Sequence, residues 1–199
     1  AHDFGEFSDL LRLALMLGDK EIAGNRIAAV SNAGFEAVGM ADSIRTNGAE
    51  LVLPAFSGRS EEALAKILAD NHLDRLVDVR NPLDVTALTG DMAYADIVAV
   101  VLSDPGIDAA IVGIVPLTPA LHTLPPGDGH DESLFLADSI AQRLPRVAAA
   151  SEKPVVAVVD AGPLFDPFAD ALRAGGLPVF RSADRAVRAL CCWLDRHPF

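Results

Sequence analysis

Six consecutive residues, Ser31-Asn32-Ala33-Gly34-Phe35-Glu36, carry the kinds of group that hold an anion. Most are small or polar, one is glycine, and they lie between an apolar run and a helical pattern. A strand ending in such a turn and opening a helix offers free backbone N–H groups at the positive end of a helix dipole. The same residues also suit a plain tight turn, with Asn32 and Gly34 supplying the backbone freedom, and both readings stand at this level. A second group is Asn81-Pro82-Leu83-Asp84-Val85-Thr86. An Asn-Pro turn with an Asp just beyond it orders a neighbouring loop through Asx-type bonds, so Asn81, Asp84 and Thr86 are expected to support rather than react. His130-Asp131-Glu132 offers acid and base groups without metal-ligand spacing. It reads as a loop and helix start, with Asp131 or a neighbour as cap and Glu132 at the dipole. His72 and His197 lie in charged surface contexts and His122 in a Pro-rich loop, where solvation is expected. No catalytic residue and no metal ligand is assigned.

Several phosphate and nucleophile motifs are missing: G-x-G-x-x-G, G-x-x-x-x-G-K-[ST] and G-x-S-x-G. A dinucleotide reader also wants an acidic residue ending the second strand. With that strand at Leu51–Leu53 the position reads Leu53-Pro54-Ala55, which disfavours NAD. A phospho-acceptor receiver domain would need acidic residues after the first strand and an Asp after the third. Those places hold Ser31-Asn32 and Pro116-Leu117.

The turn has to be positioned by the elements around it. Phe7, Leu10, Leu11, Ala14 and Leu17 recur at helical spacing and Gly18 stops the pattern. Arg26–Ser31 is a nearly continuous apolar run, as expected of a strand covered on both faces. A helix is expected over Phe35–Thr46, closed by Asn47-Gly48, then a strand at Leu51–Leu53 ended by Pro54. Ser60 is expected to cap a helix to about Asn71, and Asp91 a helix to about Leu102. Ala109–Val115 and Pro154–Val159 read as strands three and four, and Pro178–Phe180 as a short fifth. Thr118–Gly129 reads as a loop, Glu132–Ala150 as a helix that Pro145 kinks or splits, and Asp166–Ala174 as a helix. Ser182 is expected to cap a last helix to about Arg196. Strands alternating with helices imply parallel pairing through right-handed crossovers. The expected fold is therefore α/β: a three-layer flavodoxin-like parallel sheet of about five strands, order 2-1-3-4-5. Residues 1–24 read as a connector helix and link, and residues 25–199 as the sheet domain. Ligands in such sheets bind beyond the carboxyl ends of the strands, where Ser31–Glu36 falls.

The chain has 199 residues, a hydrophobic fraction of 51% and a net charge of −12. That composition fits a packed domain and excludes intrinsic disorder. The charge repels phosphate backbones and anionic lipid, so nucleic acid and membrane are not expected partners. A single anion on a helix end is compatible with it. No apolar run reaches the roughly 18 residues that span a bilayer. Cys191 and Cys192 are adjacent and form no disulfide framework; one of them is expected to fill core beside Leu190, Trp193 and Leu194. Together with a start, Ala1-His2-Asp3-Phe4, unlike a signal peptide, they point to a reducing, cytoplasmic setting. The missing initiator Met fits a piece of a larger protein or a processed one.

Asn25-Arg26-Ile27-Ala28-Ala29-Val30-Ser31-Asn32-Ala33-Gly34 resembles the strand, T/S-N-A-G turn and helix of the NDP-forming acyl-CoA synthetases, relatives of succinyl-CoA synthetase. Asn81-Pro82-Leu83-Asp84-Val85-Thr86 is similar to the family's N-P-x-D-x-T, and Asp104-Pro105-Gly106-Ile107-Asp108-Ala109 to its D-P-x-V-D-A. Lys153-Pro154-Val155 and Gly176-Leu177-Pro178-Val179-Phe180, followed by Ser182 and Ala186–Leu190, are similar to its end. The likeness runs from about Asn25 to Leu194, with the motifs in family order. It implies a domain of a larger ligase. That enzyme would also contain a CoA-binding domain, a ligase domain bearing a transiently phosphorylated histidine, and an ATP-grasp unit, fused or as separate subunits. CoA, ATP or ADP and magnesium belong to the whole enzyme; none is expected to bind this chain alone.

The family's S-H-T-G context for the phosphorylated histidine is absent, so the resemblance implies the second ligase domain. Its first turn, Ser31 to Glu36 here, would help form the phosphohistidine pocket. The helix Phe7–Leu17 would be the connector, folded on its own sheet or paired with a second copy as a homodimer. The isolated chain is expected to be inactive. One departure stands out: the family often reads N-A-G-G-P-G, whereas Phe35-Glu36-Ala37 follows Gly34 here. Phe35 narrows the approach and Glu36 adds negative charge. The alternative expectation is a non-catalytic regulatory or small-ligand-binding domain of the same fold.

Overall fold

The computed structural model describes residues 1, 3–21, 23–46 and 49–195. In chain order the elements are α1 (Phe4–Leu17), β1 (Ile27–Ser31), α2 (Gly34–Asp42), the antiparallel pair β2 (Arg45–Thr46) and β3 (Ala49–Glu50), and α3 (Gly58–Asp70). Then come β4 (Leu83–Asp84), α4 (Asp91–Ser103), β5 (Ala109–Gly113), α5 (Ile140–Ala150), β6 (Val155–Val158), α6 (Asp166–Ala174), β7 (Val179–Phe180) and α7 (Ala183–Asp195). A short 3₁₀ turn, Pro163–Phe165, precedes α6.

β1 and β5 are buried along their whole length, which demands cover on both faces. The main sheet runs β4-β1-β5-β6-β7 with every pairing parallel, so its five strands stand in the order 2-1-3-4-5. Alternate side chains divide the core in two. Ile27, Ala29, Ala109, Ile111, Val156 and Val158 pack with Leu13 and Leu17 of α1, Met40 of α2, and Leu190 and Trp193 of α7. Cys191 belongs to this layer as filler, and Cys192 is half-buried beside it. Ala28, Val30, Ala110, Val112, Val155 and Ala157 pack with Leu64, Tyr94, Val98, Leu144, Phe168 and Leu172 of α3 to α6. Among the described residues no helix is long and apolar enough to cross a membrane.

α1 starts at Phe4, three residues earlier than its apolar spacing indicated, because Asp3 caps it by accepting from the Glu6 N–H at 2.8 Å. It lies against α7. The buried Asp9 carboxylate receives the Arg185 guanidinium, and the Arg12 guanidinium stands 5.4 Å from the centre of the Phe180 ring. Phe4, Phe7, Leu11 and Leu15 face outward.

The second strand of the sheet is not where the apolar pattern placed it. Leu51–Leu53 contributes one parallel bridge, Val52 to Arg26, and Pro54, lacking an N–H, cannot extend the ladder. Leu83 and Asp84 take over beside Val30 and Ser31. Between the two segments the Asn81 side chain closes the gap. Its Oδ1 accepts from the Ala29 N–H at 3.0 Å, and its Nδ2 donates to the carbonyls of Ile27 at 2.8 Å and Pro54 at 3.0 Å. One side-chain amide thus does the work of a missing ladder residue.

Other expectations shift for similar local reasons. α2 stops at Asp42 because the chain turns into the β2–β3 pair; the expected Asn47-Gly48 closure lies outside the described residues. β5 ends at Gly113, since the backbone of Val115 is bound by a side chain of the β1 exit. α5 begins only at Ile140, because the carboxylate of Glu132 binds the chain at Thr123 and Leu124. α5 then runs unbroken through Pro145, losing only one i→i−4 bond there. α4 is capped by Gly90, not Asp91, whose carboxylate is used elsewhere. α3 is capped by Ser57, not Ser60: its hydroxyl accepts from the Ser60 N–H at 3.4 Å. Ser57→Ala is expected to lower unfolding free energy by about 1 kcal/mol, read from urea denaturation. An unchanged midpoint would mean this contact caps nothing.

Candidate functional site

β1 is flanked by β4 on one side and β5 on the other, and the chain switches direction across the sheet between β1 and β5. That is the switch point at which parallel sheets leave a crevice at their carboxyl edge. The Ser31–Glu36 turn lies there. Asn32 ties it to the β5 exit with both halves of its amide, accepting from the Val115 N–H at 2.8 Å and donating to the Val115 carbonyl at 2.9 Å. Ala33 is the N-cap of α2 and offers no side-chain bond, so the first N–H groups of the helix meet no side-chain cap. Gly34 and Phe35 are exposed, Phe35 at 69%. A Cβ on Gly34 would stand 2.8 Å from Asp84 Oδ2, so a side chain here would have to push the Asp84 carboxylate aside.

Of the supporting residues, Asp84 stands beside the turn, Thr86 orders the loop that follows β4, and Asn81 lies within the sheet. Asp84 is paired in register with Ser31, and its Oδ1 accepts from the Thr86 N–H at 2.9 Å. Thr86 sits at φ 66° and its Oγ1 accepts from the Leu88 N–H at 3.1 Å. Asn81 is spent inside the sheet, as described above. Asp84, not Leu53, ends the second strand, so an acidic residue does stand at the position where a dinucleotide reader wants one. The absence of G-x-G-x-x-G remains.

Glu36 turns inward. It is only 2% exposed, and its Oε2 accepts from the Ser31 hydroxyl at 2.5 Å. The Ser31 Oγ in turn accepts from the Ala33 N–H at 3.1 Å. Its other oxygen, Oε1, has no hydrogen-bond partner among the described residues. The seat exists because residue 113 is glycine: a Cβ there would lie 1.8 Å from Glu36 Oε2 and 2.8 Å from the Met40 methyl. Burial pushes the Glu36 carboxyl up to about 7; the Ser31 bond works against this and nearby Asp160 adds to it. Beneath, the fully buried Tyr94 hydroxyl donates to the Gly113 carbonyl. Burial, then Glu36 and Asp84, raise that phenol well above its ordinary value.

Tyr94, Gly113 and Asp160 were not singled out in the sequence; a glycine ending the most apolar strand was the one available signal. The histidine readings also change in part. His122 is not simply solvated: its Nδ1 lies 2.7 Å from Asp91 Oδ2, and Asp91 also accepts from the His122 and Ile140 N–H groups. Asp91 therefore fastens the long β5–α5 connection to the start of α4. His130 and Glu132 are not a helix start. Glu132 Oε2 accepts from the Thr123 and Leu124 N–H groups, and His130 Nδ1 accepts from the Glu132 N–H. His72 is exposed at φ 59°, and His197 lies outside the described residues. Among the described residues no group of three or more His, Cys, Asp or Glu is placed to hold a metal.

No family model and no curated protein matches the chain. Solved structures do share its fold. PH0766 from Pyrococcus horikoshii OT3 superposes with a TM-score of 0.77 at 23% identity, over 99% of this chain and 41% of its own. The dinucleotide forming acetyl-coenzyme A synthetase 1 of Ca. Korarchaeum cryptofilum superposes with a TM-score of 0.75 at 19% identity, over 98% of this chain and 38% of its own. It has been solved in an apo form and in complex with phosphate and ADP. The chain thus spans about two fifths of each of these longer proteins, and at these identities the likeness is one of fold.

Proposed function

We propose that this chain is the second flavodoxin-like ligase-CoA domain of an NDP-forming acyl-CoA synthetase, and that its Ser31–Glu36 turn forms one wall of the phosphohistidine pocket. The whole enzyme would catalyse acyl-CoA + NDP + phosphate ⇌ acid + CoA + NTP. The observation that carries this reading is the uncapped start of α2 at the switch point of the sheet, beside the β1–β5 crevice. Its N–H groups and dipole suit one phosphoryl group without any cationic side chain. Asn32 would hold the turn on β5, and Gly34 would let Asp84 pack against it. The histidine, CoA, the nucleotide and magnesium would come with the CoA-binding, histidine-bearing and ATP-grasp domains, in the cytoplasm. The family motifs in order and the shared fold with a longer acetyl-coenzyme A synthetase support the reading.

A second reading, a non-catalytic regulatory or small-ligand domain, draws on the carboxylates Glu36, Asp84 and Asp160 at the same edge. One experiment separates the two. The isolated chain is expected to make no acyl-CoA from acid, CoA and ATP, and to restore synthesis when combined with the three partner domains. Gly34→Val, which drives a side chain into Asp84, is expected to cut the restored rate at least tenfold. Synthesis by the isolated chain overturns the domain reading. Full activity of the reassembled Gly34→Val enzyme removes the turn from the pocket and favours the second reading.

A further inference from the structure

Glu36 is the third residue of α2, counting from Gly34. From that position a glutamate side chain can reach back to the N–H of the N-cap residue, as in a capping box. Here it does not: the Ala33 N–H is bonded to Ser31 Oγ and the carboxyl lies in the seat over Gly113. The seat suits a neutral acid and not an ion. It is closed to solvent, offers the carboxyl a single hydroxyl donor and leaves Oε1 without a partner. The groups that face it from the packed elements are Ser31 on β1, Asp84 at the end of β4, Tyr94 on α4 and Asp160 after β6. None of these is a cation, and the Tyr94 phenol stays protonated. Met40, on α2 itself, is apolar.

We propose that Glu36 is a two-position switch on the start of α2. Protonated, it occupies the Gly113 seat; ionised, it leaves the seat and sets its carboxylate against the positive end of the α2 dipole, beside the N–H groups of Gly34 and Phe35. The physical drive is the cost of burying a charge with Asp160 nearby, set against the return from a carboxylate at a helix start. Burial holds the seated carboxyl near 7, which sets the upper limit of the pH at which the exchange occurs. The inference concerns this chain alone and does not depend on any enzyme activity.

The test follows the Glu36 side-chain carboxyl by carbon NMR, together with the amide signals and hydrogen exchange of residues 33–37, from about pH 5 to pH 9. The proton linkage predicts that the outward population rises roughly tenfold between pH 6 and pH 8. The expected result is one titration near neutrality seen at both the carboxyl and the amides, and lost from the amides in Glu36→Gln. Gly113→Ala fills the seat, so its amides are expected to hold the outward pattern at every pH. If that variant does not fold, the wild-type titration decides. A carboxyl that titrates near 4.5, or amides that move identically in Glu36→Gln, overturns the switch.

Discussion

Asn81→Leu is expected to destabilise the chain by about 3–6 kcal/mol, because it strips hydrogen bonds from β1, a fully buried strand. The Asn81 amide satisfies the Ala29 N–H and the Ile27 carbonyl in β1, and the Pro54 carbonyl where the first edge segment ends. Leucine is of similar size and leaves all three groups unpaired, two of them in a strand with no exposure. Each orphaned group costs about 1–3 kcal/mol. A domain of this size has about 5–15 kcal/mol to lose, so the variant should sit near the edge of folding. Urea denaturation followed by circular dichroism measures it. A loss under about 1 kcal/mol would mean that water or a shifted backbone replaces the amide, and that Asn81 is not what joins the two edge segments. Asn81→Asp keeps an acceptor for Ala29 but loses both donors, and is expected to be destabilised as well.

Glu36→Gln is expected to stabilise the chain at alkaline pH and to do little in acid. The seated carboxyl is held at about 7 against an ordinary value of 4.5. In the folded chain it therefore keeps its proton through an interval in which the unfolded chain has lost it. The stability this contributes is complete below pH 4.5, declines as the pH rises towards 7, and is gone above it. At 1.36 kcal/mol for each pH unit, the wild type gives up about 3 kcal/mol across that window. Glutamine has no proton to lose and can still accept from Ser31. Thermal melts at pH 4.5 and pH 8 should therefore diverge, with the variant melting roughly 5–10 °C higher at pH 8. Coincident melting curves at both pH values would show that Glu36 is not buried as an acid.

Much of the architecture was legible from local pattern. Apolar runs at Ile27–Ser31, Ala109–Gly113 and Val155–Val158 have no polar alternation, so they require a sheet covered on both faces. Amphipathic stretches between them supply the cover and join the strands in parallel through right-handed crossovers; the order 2-1-3-4-5 belongs to the flavodoxin-like type of such a sheet. The turn at Ser31–Gly34 was legible for the same reason, since a buried strand must end before a helix can begin. Pattern failed where two segments compete for one place. Leu51–Leu53 is the more apolar candidate for the sheet edge, yet Leu83–Asp84 takes its carboxyl half.

Three features were decided only by the tertiary structure. Asn81 becomes part of the sheet because two distant segments stop short of each other by the width of one amide. His122 is held because the Asp91 carboxylate faces it across the start of α4. Glu36 is turned into the protein because Gly113, on another strand, leaves a space of the right size beside Ser31. By itself the sequence determined the alternation of elements, the parallel sheet and the position of the turn, since these follow from side-chain periodicity and backbone preference over a few residues. Whether a polar side chain points out as a ligand group or in as a structural one depends on volume and hydrogen-bond partners brought in by remote strands, and that was settled only when the sheet assembled.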